Sequence, residues 1–112
     1  MAYKTIDVTD ENFLSTVLES QKPVVVDFWA EWCPPCKDVS RWMDNLAQTR
    51  GDWLTIGKIE VDSNPETIAN YGIRSLPAIL FFQQGELIHR QVDRIDEAGL
   101  AHLVDSMLLE EQ

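Results

Sequence analysis

The stretch that decides the fold runs Val24-Val25-Val26-Asp27-Phe28-Trp29-Ala30-Glu31-Trp32-Cys33-Pro34-Pro35-Cys36. Its first six residues are apolar on both alternating faces except at Asp27, which is typical of a central strand covered by helices on both sides. Proline is tolerated in the first turn of a helix, so Pro35 predicts that a helix begins there. The chain's two cysteines therefore lie at a strand–helix junction, three residues apart and close enough for a disulfide.

The rest of the chain alternates helical and extended patterns around this junction. This order predicts an α/β fold, in which a mixed sheet of four to five strands, parallel in its core with an antiparallel hairpin, is flanked by about four helices. The predicted elements are a first helix from a Thr9 cap to about Ser20, the strand from Val24, a helix from Pro35 to Gly51, a strand from Leu54 to Val61, a short helix from Asn64 to Tyr71, a hairpin of Ala78–Phe82 and Leu87–Val92, and a last helix capped by Asp96.

Size and charge bound the class of protein. We expect residues 1–112 to form a single domain, since a chain of this length can bury one core. No stretch approaches the roughly 18 consecutive apolar residues of a membrane span, and the start of the chain lacks the basic and apolar regions of a secretory signal, so a soluble cytoplasmic protein is predicted. The net charge of −10 disfavours nucleic acid and anionic membranes as partners. It either serves solubility or selects partners with basic docking faces.

The thiol pair predicts redox chemistry. Only a thiolate attacks a disulfide, and an ordinary cysteine is mostly protonated at neutral pH. At the start of a helix, unpaired N–H groups and the positive end of the helix dipole favour the anion of Cys33. Cys36, one turn further in, is expected to be more buried and less reactive. The sequence thus predicts that Cys33 forms a mixed disulfide with a substrate and that Cys36 resolves it.

Three other uses of the cysteines are alternatives. Half of a structural zinc site would need more ligands, and the chain adds only His89 and His102, on a separate hairpin and helix. Inert core thiols fit poorly with two prolines and a helix start. A permanent disulfide closing so small a loop would add little stability. No metal is expected.

Several motifs follow one another along the chain. They are Val26–Cys33 with Cys36-Lys37, then Lys58 and Asp62-Ser63-Asn64-Pro65, then Tyr71-Gly72-Ile73-Arg74 with Leu76-Pro77, and Gly85. In these motifs nearly the whole chain, from about Tyr3 to Leu108, resembles the thioredoxin family, with the first motif similar to its active-site block and the third to its docking loop. The resemblance implies a thioredoxin fold and a protein disulfide reductase that binds no cofactor and acts on client proteins with disulfides. It also implies re-reduction by a thioredoxin-reductase-like enzyme, which passes on electrons from NADPH through a flavin, and we expect a monomer.

The resemblance gives roles to three residues. Burial should raise the pKa of Asp27, and by resemblance this carboxylate assists deprotonation of Cys36; a structural carboxylate bonded to a neighbouring donor is the alternative. Lys58 either turns inward to pair with Asp27 or extends into water. Pro77 is implied to be cis and to face the thiols, with Leu76 pairing its backbone with an extended substrate, whereas the alternative is an ordinary proline at a strand entry.

The aromatic residues are expected to divide between the site and the core. Trp32, beside the nucleophile, is predicted to be a partly exposed contact residue. The other side chains are predicted to pack in the interior, namely Phe28, Trp29, Phe81 and Phe82 in the core and Trp42 and Trp53 in packing roles.

Several residues depart from the family pattern. Pro34 stands where glycine is commonest, which removes a backbone N–H, and Pro35 biases Pro34 away from the helical region. A Pro-Pro pair also occurs in tryparedoxin- and nucleoredoxin-like proteins, so a specialised reductant, oxidant or isomerase is an alternative function. Ser75 and Asp93, where glycine is frequent, are expected to alter the docking surface and recognition by a reductase. A redox-inert binding module of the same fold is a further alternative.

Overall fold

A five-stranded mixed sheet lies at the centre of the structure, a computed structural model that describes residues 3–92 and 94–110. Its spatial order is β1-β3-β2-β4-β5, with the first three strands mutually parallel and the last two antiparallel. This confirms the predicted combination of a parallel core and an antiparallel hairpin. The strands are β1 (Ile6–Asp7), β2 (Val24–Trp29), β3 (Thr55–Glu60), β4 (Ala78–Gln83) and β5 (Glu86–Gln91).

Helices cover both faces of this sheet. One face buries Val25, Ile56 and Ile79 against two helices, and the opposite face buries Val26 and Leu80 against shorter helical segments. Strand β2 is therefore buried on both sides, as its continuous apolar pattern predicts. The helices are α1 (Pro34–Arg50) and α3 (Glu97–Glu110) on the first face, and a π-helical turn (Leu14–Leu18) and α2 (Pro65–Tyr71) on the second, with a 3-10 turn at Val61–Ser63.

The glycine and aspartate residues that were predicted to end or cap helices lie at helix ends in the structure. Gly51 follows the last residue of α1, and Gly72 ends α2 in the left-handed conformation at φ 61°, which glycine adopts without strain. Asp96 caps α3, since its Oδ1 accepts a hydrogen bond from the Gly99 N–H at 2.7 Å. Helix α1 begins at Pro34, one residue earlier than predicted, because the first helical position tolerates proline.

The segment after Thr9 differs from the predicted regular first helix. Thr9 and Asn12 exchange reciprocal side-chain hydrogen bonds, with the Thr9 N–H donating to Asn12 Oδ1 at 2.7 Å. The chain then winds more widely, and the Glu19 N–H donates to the Leu14 carbonyl at 2.9 Å. This winding buries Phe13 and Val17 but leaves Leu14 exposed, so only part of the apolar residues at helical spacing lies in the core.

Two further features were not predicted from the sequence. Strand β1 has only two residues, both exposed, so it carries no period-two pattern. Trp53 was expected to pack, but it is 59% exposed on the turn after α1, whereas Trp42 does pack against the core. Among the described residues, no helix is long and apolar enough to cross a membrane.

Candidate active site

A disulfide joins Cys33 to Cys36 where β2 leads into α1, with 5.4 Å between the two Cα atoms. Cys33 is the N-cap of α1, in an extended conformation, and Cys36 lies in the first turn. The Cys36 N–H donates to the Cys33 carbonyl at 3.1 Å. The pair therefore occupies the strand–helix junction that the sequence predicts.

The prolines between the cysteines remove two amide donors from this junction. Pro34 and Pro35 fill the first two helical positions and have no backbone N–H. The next amide, that of Cys36, donates to the Cys33 carbonyl. The start of α1 thus presents fewer N–H groups to an anion at Cys33 than a helix without these prolines would.

Burial does not separate the two thiols as expected. Cys33 is 4% exposed and Cys36 is 2% exposed, so both sulfurs lie below the protein surface in the disulfide form. They pack with Ala30, and Trp29 and Leu76 are partly buried against them. Trp29 was predicted to be core and instead lies at this margin. The difference between the cysteines is one of helix position, not of accessible area.

Trp32 projects from the site as predicted, being 64% exposed. Its indole Nε1–H donates to Asp62 Oδ2 at 2.9 Å. This bond holds the ring against the loop that follows β3. Asp62 was predicted only as part of a family turn, and its contact with Trp32 had no signal in the sequence, since 30 residues separate the two.

The docking loop lies beside the disulfide. The Leu76–Pro77 peptide bond is cis, as the family resemblance implies. Leu76 packs against the cysteines, and Ser75 next to it is exposed. An open groove runs between α1 and this loop and is lined by Pro35, Asp38, Trp42, Pro77, Val92 and Arg94, among others. Asp93, a predicted docking residue, lies outside the described residues.

Asp27 is a fully buried carboxyl group on β2, and within the described part of the chain neither of its oxygens has a hydrogen-bond partner. Loss of water around the carboxylate raises the pKa of Asp27 to about 7. The positive charge of Lys58 opposes this rise, and the negative charge of Asp44 adds to it. The raised pKa of Asp27 agrees with the expectation from the sequence. The alternative, a carboxylate hydrogen-bonded to a neighbouring donor, does not describe the structure of the described residues.

Lys58 turns inward but does not pair with Asp27. Its side chain is 14% exposed, and its Nζ donates to Ser40 Oγ at 2.6 Å and to Asp44 Oδ1 at 2.8 Å. Neither of the two predicted orientations describes this arrangement, because both overlooked partners on α1. Cys36, Ser40 and Asp44 follow one another at a spacing of four, which places them on one face of a helix. This spacing of four was the signal in the sequence from which partners for Lys58 on α1 could have been identified.

A cavity of about 570 Å³ connects Lys58 to the disulfide region. Cys36, Ser40 and Lys58 line it, together with Asp7 from β1. Among the described residues, no group of three or more His, Cys, Asp or Glu side chains is placed to hold a metal ion. Cys36 thus shares this cavity with the polar side chains of Asp7, Ser40 and Lys58.

The whole-chain comparison settles the family. A sequence model described as Thioredoxin matches residues 4–106. The chain belongs to the thioredoxin family. The fold and the thiol–disulfide oxidoreductase activity expected from the resemblance are thereby confirmed, and within this family the paired cysteines identify the disulfide-reductase type of enzyme.

Individual thioredoxins are similar over most of their length. The thioredoxin of Mycobacterium tuberculosis strain H37Rv is 45% identical over 96 residues, covering 86% of this chain and 83% of that protein. The thioredoxin of Acidithiobacillus ferridurans is 42% identical over 101 residues, covering 90% and 94%. A bifunctional thioredoxin reductase/thioredoxin of Mycobacterium leprae is 43% identical over 96 residues, which are 86% of this chain and 21% of that protein.

Proposed function

We propose that the protein is a general reductant of disulfides in client proteins, with Cys33 as the attacking thiol. The observation that carries this proposal is the Cys33–Cys36 disulfide at the start of α1, on the same side of the sheet as a buried carboxyl group with a pKa of about 7. A pair with these surroundings can be both opened and closed at neutral pH.

In the proposed cycle, the Cys33 thiolate attacks one sulfur of a client disulfide. A mixed disulfide forms and the other client sulfur leaves as a thiolate. Cys36 loses its proton and attacks the Cys33 sulfur, which releases the second client thiolate and forms the Cys33–Cys36 disulfide. Two electrons pass from the protein to the client, and the client thiolates take up protons from water.

Asp27 is the proposed base for the second step. A carboxyl group with a pKa of about 7 is partly ionised at neutral pH and basic enough to accept the Cys36 proton. Replacing Asp27 by Asn should slow resolution of the mixed disulfide and leave the first attack nearly intact.

The proposed docking surface consists of Trp32, Ser75, Leu76, Pro77 and Asp93. An extended client segment would pair with the backbone of Leu76 in the manner of strand addition. The exposed ring of Trp32, next to Cys33 in the chain, offers an apolar contact. Pro34 and Pro35 tune the reactivity of Cys33 because they remove amide donors near its sulfur.

Re-reduction is proposed to come from a separate enzyme. In the Mycobacterium leprae relative, thioredoxin reductase and thioredoxin are parts of one chain. That arrangement supports a thioredoxin-reductase-like partner here, with electrons from NADPH arriving through the flavin of that partner and no cofactor bound to this chain. A reduced dithiol of this kind suits the cytoplasm, where thiols are kept reduced, and we propose a monomer in that compartment.

A specialised oxidant or isomerase is the second candidate, because the Pro34-Pro35 pair between the cysteines departs from the commonest family pattern. Equilibration with glutathione separates the two. A potential near that of thioredoxins, about −270 mV, supports the general reductant, and one near −120 mV supports an oxidant. Pro34→Gly measured in parallel gives the contribution of the extra proline.

Cysteine variants test the roles of the two thiols directly. With a disulfide-linked peptide as client, Cys36→Ser should accumulate a covalent adduct detectable by mass spectrometry, and Cys33→Ser should form none. Trp53→Phe, at an exposed position on the turn after α1, is a control that should turn over like the wild type. An adduct on Cys36 in the Cys33→Ser protein would reverse the assignment.

A further inference from the structure

Three charged side chains lie in one row across the sheet. The strand register places Asp7 beside Lys58 and Lys58 beside Asp27, with apolar Ile79 as the next residue in the row. Residues directly opposite each other on neighbouring strands project to the same face. Lys58 therefore stands between two carboxyl groups, one exposed and one buried.

Lys58 nevertheless directs its ammonium group to α1. The bonds to Ser40 Oγ (2.6 Å) and Asp44 Oδ1 (2.8 Å) are short and charge-assisted. Both oxygens of Asp27 are left without a hydrogen bond, although Asp27 is the in-register neighbour of Lys58. Lys58 thus binds the carboxylate of Asp44 on α1, although the carboxyl group of Asp27 on the neighbouring strand is also available as a partner.

We propose that Asp44, assisted by Ser40, is a positioning residue that holds the Lys58 ammonium on α1 and so prevents an ion pair between Lys58 and Asp27. The proposal rests on the proposed role of Asp27 as the base for Cys36. A buried carboxylate held in an ion pair is a weak base, because the pair stabilises its charged form. With Lys58 bound to α1, the Asp27 carboxyl group stays free to exchange a proton with Cys36.

The electrostatics around Asp27 agree with this arrangement. The positive charge of Lys58 lowers the pKa of Asp27 while the negative charge of Asp44 raises it, and burial makes the largest contribution. The side chain of Asp44 is about half exposed, so water also stabilises its charge. The ion pair is therefore placed where desolvation is less costly than it would be beside Asp27.

The charges that act on Asp27 are those of Lys58 and Asp44. Strand β4 contributes the apolar Ile79 beside Asp27. The cavity next to Lys58 is also lined by Asp7, Glu31, Cys36 and Lys37. On α3 lie His102 and Asp105, and the carboxylate of Asp105 is bound to Arg50.

A double-mutant cycle tests whether Asp44 acts through Lys58. The pKa of Asp27 is measured from the ¹³C shift of its side-chain carboxyl in the oxidised protein, with Asp27→Asn used to assign the signal. Asp44→Asn should lower this pKa by about one unit or more, because the ammonium becomes available to Asp27. In a Lys58→Met background the same change should have less than half that effect. Equal shifts in both backgrounds would overturn the proposal.

Two matched variants separate positioning from simple charge. Ser40→Ala changes no charge, yet it should lower the pKa of Asp27 in the same direction as Asp44→Asn. Asp7→Asn removes a carboxylate from the same row of the sheet, and it should shift the pKa less than Asp44→Asn does. An Asp7→Asn shift as large as that of Asp44→Asn, or no shift with Ser40→Ala, would contradict a positioning role.

The rate of mixed-disulfide resolution distinguishes this proposal from the proposed role of Asp27. If Asp44→Asn lowers the pKa of Asp27 and the pH midpoint of resolution moves down with it, both proposals are supported. A shifted pKa with an unmoved resolution midpoint leaves the positioning by Asp44 standing and removes Asp27 as the base. An unshifted pKa removes the positioning role whatever the rates show.

Discussion

Asp27 ties the stability of the protein to pH. The pKa of this carboxyl is about 7 in the folded protein and near 3.8 for an exposed aspartate. As pH rises from 3.8, the unfolded chain loses its proton first, so folded-state stability falls until pH passes about 7. The contribution is fully present below the lower value and lost above the higher one.

Asp27→Asn should therefore make the protein more stable at pH 8, by on the order of 4 kcal/mol, with the gain shrinking as pH approaches 4. Chemical denaturation of the oxidised form at several pH values measures the difference. Asp38→Asn is a suitable control, since Asp38 is exposed and pairs with Arg41 on the same helix turn. A pH-independent difference for Asp27→Asn would show that Asp27 ionises normally in the folded state.

The surroundings of some residues could be predicted from the sequence, and those of others could not. The burial of Asp27 follows from its apolar neighbours on β2, and the exposure of Trp32 follows from its place between strand and helix. The partners of Lys58 could not be derived in the same way, because they depend on how closely α1 crosses β3. Trp53 was mispredicted because it lies past the glycine that ends α1, where helical periodicity gives no guide to burial.

Among the elements, Arg90 links the hairpin to the docking loop. From β5, its guanidinium donates to the carbonyl of Tyr71 at 2.7 Å and reaches that of Gly72 at 3.5 Å. These carbonyls end α2 and begin the loop that leads to Pro77. A cation at the end of a helix also interacts favourably with the helix dipole.

Arg90→Met should weaken client docking while leaving the chemistry nearly intact. We expect KM for a disulfide-containing client to rise several-fold, kcat to change little, and stability to fall by about 1 kcal/mol from the lost hydrogen bond. Steady-state kinetics and denaturation measure the three quantities.

Arg50→Met is the matched control for this variant. Arg50 is also held by hydrogen bonds of its guanidinium, two to Asp105 and one to Thr49, but at the contact between α1 and α3. It should lose stability and keep its KM. If both variants raise KM equally, a general loss of stability explains the effect and Arg90 has no particular role in docking.

The elements differ in how clearly the sequence encodes them. Helix α1 has an apolar stripe, prolines at its start and a glycine at its end, so its bounds could be predicted within one residue. The two-residue strand β1 is held by its pairing with β3 and by the close contact of Val8 with Gly57, where a side chain would clash. Such a strand depends on tertiary contacts and leaves no local pattern.

At the scale of the whole molecule, the net charge of −10 includes acidic residues that lie near the disulfide. Asp38 and Asp96 line the groove beside Pro77, and Asp62 lies against Trp32. Arg94 is the cation in that same groove. Asp38 is paired with Arg41, which leaves Asp96 and Asp62 as the acids from which we expect a preference for clients with positive charge around their own disulfide.

Reduction of a basic peptide disulfide should accordingly slow with salt. Because the Debye length falls from about 30 Å at 0.01 M to about 3 Å at 1 M, we expect a several-fold drop in the second-order rate constant across that range. A neutral peptide of the same length should change little. The rates are measured under pseudo-first-order conditions, and an equal response of both peptides would mean that the charge serves solubility alone.

The burial of both cysteines has a consequence for which clients the proposed reductant would serve. With the cysteines 4% and 2% exposed, a partner must bring its own sulfur into the recess. A disulfide on a mobile or partly unfolded segment can make that approach, whereas one fixed inside a rigid domain cannot. The protein would thus sort its clients by their local flexibility, reducing loosened proteins and sparing well-folded ones.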